Sequence, residues 1–258
     1  MITLSDTHTH LYLPEFDNDR NAMIHRAFEA GVTEIYLPNV DSETISSLHA
    51  LVDAFPQNCF PMMGLHPCSV KLENMENELA LVKHWLDTRD YVAVGEIGLD
   101  LYWDKSTLDI QIEALKRQCE WAIEKELPVV LHCRESTAES IEVIRPFAER
   151  GLKGVFHCFS GTMEEAKMAI EMDFFLGIGG VLTFKKSGLA DIVSQMPLEY
   201  LVLETDAPYL APVPFRGKRN ESAYIRNILE ALSDIRRIGK NELAEITTAN
   251  ARRLFKRL

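Results

Sequence analysis

The chain contains 258 residues, of which 47% are hydrophobic and 26% are charged. This composition is typical of a folded globular protein and excludes a disordered or fibrous one. The formal net charge is −12, so the surface as a whole repels nucleic acid and anionic lipid, and a polyanionic substrate needs local positive charge. The N-terminus lacks the features of a signal peptide, and no apolar run approaches the roughly 20 residues of a membrane span. We therefore expect a cytoplasmic protein without membrane contact or an obligate protein partner.

Short apolar runs alternate with helical patterns along the whole chain, which is typical of repeated strand and helix units. The predicted strands cover residues 2–6, 33–37, 59–64, 91–96, 128–132, 154–157, 173–178 and 200–204. The predicted helices cover residues 19–30, 42–54, 74–88, 107–125, 137–150, 188–195, 222–237 and 241–253. One more helix is predicted to begin at a capping box formed by Thr162 and Glu165.

The number and spacing of the strands indicate the fold. Eight strands begin at intervals of about 28 residues, which favours a (β/α)8 barrel over a doubly wound sheet. An open parallel sheet is the alternative, but its glycine-rich phosphate turn is absent after the first strand, where Asp6-Thr7-His8-Thr9-His10 stands. We predict the α/β class and a single-domain TIM barrel over residues 1–258, with an additional C-terminal helix.

Polar side chains stand where the predicted strands end. In a barrel, the loops after the carboxyl ends of the strands form the active site, so polar residues there are functional candidates. They are His8, His10, His66, Glu96, His132, His157, Glu204 and Asp206.

Several of these residues have the chemistry of metal ligands. His8 and His10 are two residues apart, so a strand directs both imidazoles to one face. We expect Glu96 to close the fourth strand, where a buried carboxylate without a cation costs several kcal/mol or takes up a proton. A divalent ion shared with His132 and His157 removes that cost. The alternatives are a helix-capping or salt-bridged Glu96 and purely structural histidines.

Six motifs, in chain order, resemble the signature set of the TatD metal-dependent hydrolases, which lie within the amidohydrolase superfamily. They are Asp6-Thr7-His8-Thr9-His10, Gly64-Leu65-His66-Pro67, Gly95-Glu96-Ile97-Gly98-Leu99-Asp100, His132-Cys133-Arg134, His157-Cys158-Phe159-Ser160-Gly161 and Glu204-Thr205-Asp206-Ala207-Pro208-Tyr209-Leu210. The resemblance covers nearly the whole chain. It implies a TIM barrel, a one- or two-metal site and deoxyribonuclease activity, including removal of nucleotides from 3' ends.

The resemblance also implies the roles of individual residues. The positions that match the family's metal ligands are His8, His10, Glu96, His132, His157 and Asp206. The first two histidines match the ligands of one ion and the last two the ligands of a second. Glu96 matches the carboxylate that bridges the ions, and Asp206 matches the metal-bound aspartate that also acts as base. We therefore predict Asp206 and Glu96 as catalytic residues.

A second group of residues is predicted to contact substrate, namely His66, Arg134, Ser160, Arg216 and Lys218. For Arg134 the alternative is a salt bridge at the rim, and for Ser160 a helix cap. The loop 214–221 resembles a basic motif of the family, but Ser222 stands where a proline is usual, so the loop's geometry stays open. Aromatic residues near the predicted mouth of the barrel could stack on bases or pack within loops; these are Tyr102, Trp103, Tyr209 and Phe215.

Mixed imidazole and carboxylate ligation suits zinc, manganese, cobalt or iron, whereas magnesium prefers oxygen ligands and remains possible at a loosely held position. We expect two divalent ions that lower the pKa of water and clamp a phosphodiester. DNA, as single strands or 3' ends, is the expected substrate. Hydrolysis of a lactone, ester or amide is the alternative, and an inactive metal-binding scaffold is a third interpretation.

Overall fold

The computed structural model describes residues 2–256, and its centre is a sheet of eight parallel strands paired in chain order. The strands are β1 (Leu4–Asp6), β2 (Val32–Pro38), β3 (Cys59–Met63), β4 (Ala93–Asp100), β5 (Val129–Arg134), β6 (Gly154–Phe156), β7 (Phe174–Ile178) and β8 (Leu201–Leu203). The predicted (β/α)8 barrel is confirmed. Met1, Arg257 and Leu258 lie outside the described residues, so the domain bounds 1–258 stay a prediction.

Helices separate the strands and surround the sheet. They are α1 (Arg20–Glu29), α2 (Ile45–Ala54), α3 (Met75–Thr88), α4 (Leu108–Glu124), α5 (Thr137–Ala148), α6 (Met163–Glu171), α7 (Leu189–Gln195), α8 (Ile225–Arg236) and α9 (Lys240–Leu254). The last of these is the additional C-terminal helix. The predicted capping box is present at α6, where Thr162 Oγ1 accepts the Glu165 N–H and Glu165 Oε2 accepts the Thr162 N–H. Within residues 2–256, every helix is too short or too polar to cross a lipid bilayer.

Backbone hydrogen bonds close the barrel between its first and last strands. Thr7 N donates to Leu203 O at 3.0 Å, and Asp206 N donates to His8 O at 2.9 Å. These bonds join the segments that follow β1 and β8, so residues from both ends of the chain are held at one mouth of the barrel.

The barrel interior is filled from the opposite end. Inward-facing side chains from the strands form one buried cluster together with α9, and Phe255 at the end of α9 stacks on Tyr36 with ring centroids 4.1 Å apart. A second, larger cluster lies between the strands and the surrounding helices. Helix α9 bonds to the amino-terminal ends of the first and last strands through Thr248 and Asn250, whereas the polar residues lie at the carboxyl-terminal end.

The prediction that Glu96 closes the fourth strand is wrong. β4 continues to Asp100, which pairs with Arg134 of β5, and the register shifts between Gly95 and Ile97. Such a bulge re-aims a side chain without ending the strand. Gly98 allows the strand to continue, because its φ is +143° and a Cβ there would collide with the carbonyl of His132.

Helix α4 holds the ends of β3 and β4 with two buried glutamines that lie two helical turns apart on one face. Gln118 accepts the Leu65 N–H at 2.7 Å and donates to Leu65 O at 3.3 Å. Gln111 accepts the Asp100 N–H at 2.8 Å and donates to Asp100 O at 3.2 Å. The backbone beside His66 and at Asp100 is therefore fixed from outside the barrel.

Candidate metal centre

Glu96 lies at the centre of the polar cluster, and its two oxygens face different groups of histidines. Glu96 Oε2 lies 3.3 Å from His8 Nε2 and 3.5 Å from His10 Nε2. Glu96 Oε1 lies 2.8 Å from both His132 Nδ1 and His157 Nε2. One buried carboxylate thus connects two sets of nitrogen donors.

Asp206 completes the set on the side of Oε2. Its Oδ1 lies 3.8 Å from His8 Nε2 and 3.6 Å from His10 Nε2, and those two nitrogens are 3.3 Å apart. One donor atom from each of these three residues falls within a 4.8 Å cluster, and the same holds for His8, Glu96 and His157. The structure thus brings together all six residues predicted as metal ligands.

The position of Asp206 depends on a buried network behind it. Its φ is +56°, in the left-handed region that is uncommon for a residue other than glycine. The preceding Thr205 donates its N–H and its hydroxyl to Asp6 at 2.8 and 2.6 Å, and Ser222 Oγ donates to the same carboxyl at 2.5 Å. Burial raises the pKa of Asp6 to about 7 despite these bonds. The serine that replaces the expected proline therefore supplies a hydrogen-bond donor that proline lacks.

Two of the histidines have a second buried hydrogen-bond partner that fixes the orientation of the ring. His10 Nδ1 lies 3.0 Å from Tyr12 Oη, which donates to Pro38 O at 2.5 Å. His132 Nε2 lies 2.9 Å from Asp100 Oδ2. Such outer partners set which nitrogen remains free for a ligand. The free nitrogens are Nε2 of His10 and Nδ1 of His132, and both face the cluster.

Glu204 faces His157 without forming a hydrogen bond to it. Its Oε1 accepts the Cys158 N–H and lies 3.6 Å from His157 Nδ1, which is within ion-pair range and longer than a hydrogen bond. Asp100, Tyr12 and Glu204 received no role from the sequence. The sequence indicates Glu204 only as a strand-end residue and Asp100 only as part of a motif.

Charges within the cluster compensate one another through histidine protons. Burial alone would raise the pKa of Glu96, but the histidines that surround it hold it well below its usual value. Burial opposes protonation of His10, yet Asp206 and Glu96 raise its pKa to about 10. The pKa of His8 is lowered by burial and by His157, whose ring stacks on it at a centroid distance of 3.8 Å.

These features fit a site for divalent cations. Four buried or nearly buried carboxylates, Glu96, Asp100, Glu204 and Asp206, have only histidines as ion-pair partners among residues 2–256. In the same part of the chain, the buried atoms His8 Nδ1, His157 Nδ1 and Glu204 Oε2 lack hydrogen-bond partners. Imidazole and carboxylate donors at these distances match the ligand preferences of first-row divalent metals.

His66 lies beside the cluster, but its hydrogen bonding does not suit a ligand. Its Nδ1 accepts the Cys68 N–H at 3.0 Å, so that nitrogen carries no proton. Burial lowers the pKa of His66, so the ring is neutral and its proton lies on Nε2, 3.3 Å from Glu96 Oε1. Although His66, Glu96 and His132 lie close enough to share an ion, the imidazole is fixed as a hydrogen-bond donor.

The predicted substrate contacts divide into two groups. His66, Arg134 and Ser160 line a cavity of about 710 Å³ together with Glu96 and Asp206. Since Thr162 caps α6, Ser160 is not the helix cap.

Arg216 and Lys218 are absent from the described lining of that cavity. The guanidinium of Arg216 lies 4.0 Å from the ring centroid of Phe184. Their contact with substrate stays a prediction.

The basic loop 214–221 is pinned to α1 by ion pairs. Arg219 binds both oxygens of Asp19 at 2.7 and 2.8 Å, and Arg26 joins Asp19 to Glu221 at 3.0 and 2.6 Å. The hydrogen bond from Arg219 is the main cause that lowers the pKa of Asp19 from 3.8 to about 2. The guanidinium of Arg219 is thus engaged in an ion pair with Asp19 of the same chain.

Asp19→Asn is expected to lower the free energy of unfolding at pH 7 by less than about 1 kcal/mol, because the pair is partly exposed. The pKa of Asp19 is depressed in the folded state, so its contribution is present above pH 3.8 and is lost as pH falls through about 2. Urea titrations of both proteins between pH 5 and pH 2.5 measure this. A difference that stays constant over that range would contradict the assignment.

Asp100→Asn is expected to lower metal affinity by about 10- to 100-fold, as is typical when a second carboxylate no longer orients a histidine ligand. The amide presents one oxygen, whereas Asp100 accepts His132 on one oxygen and the backbone N–H groups of Tyr102 and Trp103 on the other. Competition with a chromogenic chelator measures the affinity, and Asp109→Asn on the exposed start of α4 is the matched control. Equal affinity in the two variants would show that Asp100 does not orient His132.

Known proteins resemble this chain in sequence and in fold. Residues 5–256 match the family described as TatD related DNase. The chain is 35% identical over 254 residues to YabD of Bacillus subtilis, an uncharacterized metal-dependent hydrolase, covering 98% of this chain and 99% of that protein. It is 34% identical over 249 residues to the 3'-5' ssDNA/RNA exonuclease TatD of Edwardsiella piscicida, covering 94% and 95%. The crystal structure of YJJV, a TatD homologue from Escherichia coli K12, superposes with a TM-score of 0.91 at 30% identity over 98% of each chain. The chain therefore belongs to the TatD related DNase family and is a metal-dependent hydrolase.

Proposed function

We propose that this chain is a two-metal phosphodiesterase, and specifically a deoxyribonuclease that removes nucleotides from the 3' ends of single strands. The observation that carries the proposal is the division of the site by Glu96, whose two oxygens face separate donor sets. Paired ions about 3.5 to 4 Å apart, bridged by a carboxylate, are the usual arrangement for phosphodiester cleavage.

The number of ions is inferred from ligands and charge. We assign one ion to Asp206 and the two histidines after β1, and the other to His132 and His157, with Glu96 shared. Two divalent ions supply four positive charges, which equals the charge of the carboxylates Glu96, Asp100, Glu204 and Asp206 around them. With a single ion, the remaining buried negative charge would have to be balanced by protonated histidines, which could not act as metal ligands.

The donor set favours manganese, zinc, cobalt or iron, because nitrogen and oxygen ligands are mixed. Magnesium prefers oxygen ligands, and the side of the site with Asp206 is where it would bind, since that side has a carboxylate at each end. Metal content measured after purification decides between these ions.

The chain's own residues supply the proton transfers. Bound divalent ions lower the pKa of water and offset negative charge on a phosphate. Hydrogen bonding and charge from His10, His157 and His8 outweigh burial and keep the pKa of Asp206 below its usual value. The carboxylate is therefore ionised and available to accept a proton from the attacking water. In this proposal His66, whose Nδ1 accepts the Cys68 N–H, donates its Nε2–H to a phosphate oxygen.

Nucleic acid is the favoured substrate for two reasons. Close relatives carry the description 3'-5' ssDNA/RNA exonuclease. The cavity also contains Arg134, a cation that overcomes locally the repulsion expected from a net charge of −12. A guanidinium binds a phosphate with two parallel hydrogen bonds, so Arg134 suits the phosphate backbone.

The test compares nucleotide release from a 3'-labelled single strand with hydrolysis of lactones, esters and amides, with and without chelator. We expect metal-dependent release of mononucleotides from the single strand, which His132→Ala abolishes. His84→Ala on α3, outside the cavity, is the matched control and also reports contaminating nuclease. Turnover of a lactone, ester or amide by a protein that leaves DNA intact would replace this proposal with the carbonyl hydrolase.

A further inference from the structure

Two aromatic side chains project into solvent at the rim of the metal centre. Trp103 is 70% exposed and Tyr102 is 50% exposed, in the turn that follows β4. Tryptophan usually buries most of its surface, so an exposed ring next to a polar cleft indicates a surface that binds something flat and apolar. Trp103 lines the same cavity as Glu96 and Asp206.

Asp100 ties this turn directly to the metal centre. Its Oδ1 accepts the backbone N–H groups of Tyr102 at 3.0 Å and of Trp103 at 3.3 Å. Its Oδ2 lies 2.9 Å from His132 Nε2. One buried carboxylate therefore holds both a candidate metal ligand and the backbone of the turn that carries the aromatic pair.

Arg134 packs beneath the pair and keeps its charge available. Its guanidinium carbon lies 3.8 Å from the ring centroid of Tyr102 and 5.4 Å from that of Trp103. Among residues 2–256, no carboxylate forms an ion pair with Arg134. The predicted alternative of a rim salt bridge is therefore absent from this part of the chain. A cation between aromatic rings and a metal cleft suits a ligand that has both a flat ring and a negative charge.

The other aromatic candidates are engaged differently. Phe215 stacks on Tyr224 with centroids 3.9 Å apart and an angle of 6° between the rings, so one of its faces is covered. Tyr209 contacts the ring of His10 edge-on, with ring centroids 6.2 Å apart. Trp103 is thus the ring best placed to offer a free face beside the cleft.

We propose that Trp103, supported by Tyr102 and Arg134, stacks on an unpaired nucleobase whose phosphate lies at the metal centre. This inference rests on the proposed function and specifies how single strands are selected. A base within a duplex has both faces covered by its neighbours, so only an unpaired or frayed base can stack on Trp103. Arg134 then contacts the adjacent phosphate.

The test uses single-stranded phosphorothioate oligothymidylate, which resists hydrolysis, and an abasic phosphorothioate chain of equal length and charge. We expect the metal-loaded protein to bind the chain with bases more tightly and to show quenching of tryptophan fluorescence. Trp103→Ala is expected to remove the quenching and to weaken that binding by about 5- to 100-fold, the usual effect of losing one stacked base. Binding of the abasic chain should not change.

Two further variants separate stacking from a general structural effect. Trp103→Phe is expected to restore part of the affinity, since a phenyl ring still stacks, and Leu72→Ala is the control at an 80% exposed apolar residue outside the cavity lining. On cleavable single-stranded DNA, Trp103→Ala should raise KM more than it lowers kcat, with metal content unchanged.

The results of these assays distinguish the proposed stacking platform, formed by Trp103 with Tyr102 and Arg134, from the proposed nuclease activity. Equal binding of the two chains by the wild type, or an unchanged KM in Trp103→Ala, would overturn the platform even if DNA is cleaved. Quenching by the chain with bases but not by the abasic chain, in a protein that releases no nucleotide, would support the platform and contradict the nuclease. Failure to bind either chain would overturn both.

Discussion

Glu96→Ala is expected to lower kcat by more than about a thousandfold, which corresponds to about 4 kcal/mol in activation free energy. The variant loses the carboxylate whose two oxygens face His8 and His10 on one side and His132 and His157 on the other. Without it, the two donor sets no longer share a ligand, and both ions bind more weakly. Steady-state kinetics on 3'-labelled single strands, with metal content measured on the same samples, tests this.

Two companion variants make the Glu96 result specific. Glu96→Gln keeps the volume of the side chain but not its charge, so it separates a loss of bridging from a cavity left in the barrel. Glu142→Gln on the exposed face of α5 makes the same chemical change away from the site. Full activity and metal content in Glu96→Gln would show that the bridging carboxylate is not required.

Asp206→Asn is expected to lower kcat by about 10²- to 10⁴-fold while leaving most of the metal in place. The amide keeps an oxygen that can act as ligand, since Asp206 Oδ1 is the atom nearest both His8 and His10. It cannot accept a proton from water. Both variants should lower kcat, but Asp206→Asn should retain most of its metal whereas Glu96→Ala should bind metal more weakly.

Kinetics and metal analysis of Asp206→Asn on the same preparation distinguish a role of Asp206 as general base from a role as metal ligand. Retained metal with low kcat supports a role in proton transfer. Loss of metal in proportion to activity would show instead that Asp206 acts only as a ligand. Ser222→Ala is an informative neighbour, because it removes one donor to Asp6 behind Thr205 and leaves the carboxylate of Asp206 unchanged.

The barrel was predictable because each strand and helix is indicated by a pattern within its own short segment of sequence. Alternating apolar runs and helical patterns locate the eight strands, and the carboxyl ends of parallel strands must lie at one mouth. Residues such as His8 and Asp206, nearly 200 positions apart, could be placed together on that ground alone. The contact between their segments, through Asp206 N and His8 O, is a consequence of barrel closure.

The features that sequence reasoning missed depend on pairing between distant segments. The bulge at Glu96 arises from the register of β4 against β5, which the sequence does not show. The strand predicted from the apolar run therefore ended too early. Asp100 was overlooked because its importance depends on His132 of the next strand and on the turn at Trp103. The proton position on His66 is set by a single backbone N–H of Cys68.

Asp100 also explains why binding and catalysis would be coupled in this barrel. Because its two oxygens hold His132 and the aromatic turn, a substitution there should affect metal affinity and base recognition together. Variants confined to Trp103 should affect only the second. This difference distinguishes Asp100, which positions other groups, from Trp103, which is proposed to contact substrate.

Anomalous diffraction from crystals loaded with Mn²⁺ tests the central claim most directly, namely that Glu96 bridges two ions. The account predicts two anomalous peaks about 3.5 to 4 Å apart. One peak should lie near Asp206 and the histidines after β1, the other near His132 and His157, with Glu96 contacting both. A single peak at full occupancy, or peaks that Glu96 does not contact, would contradict it.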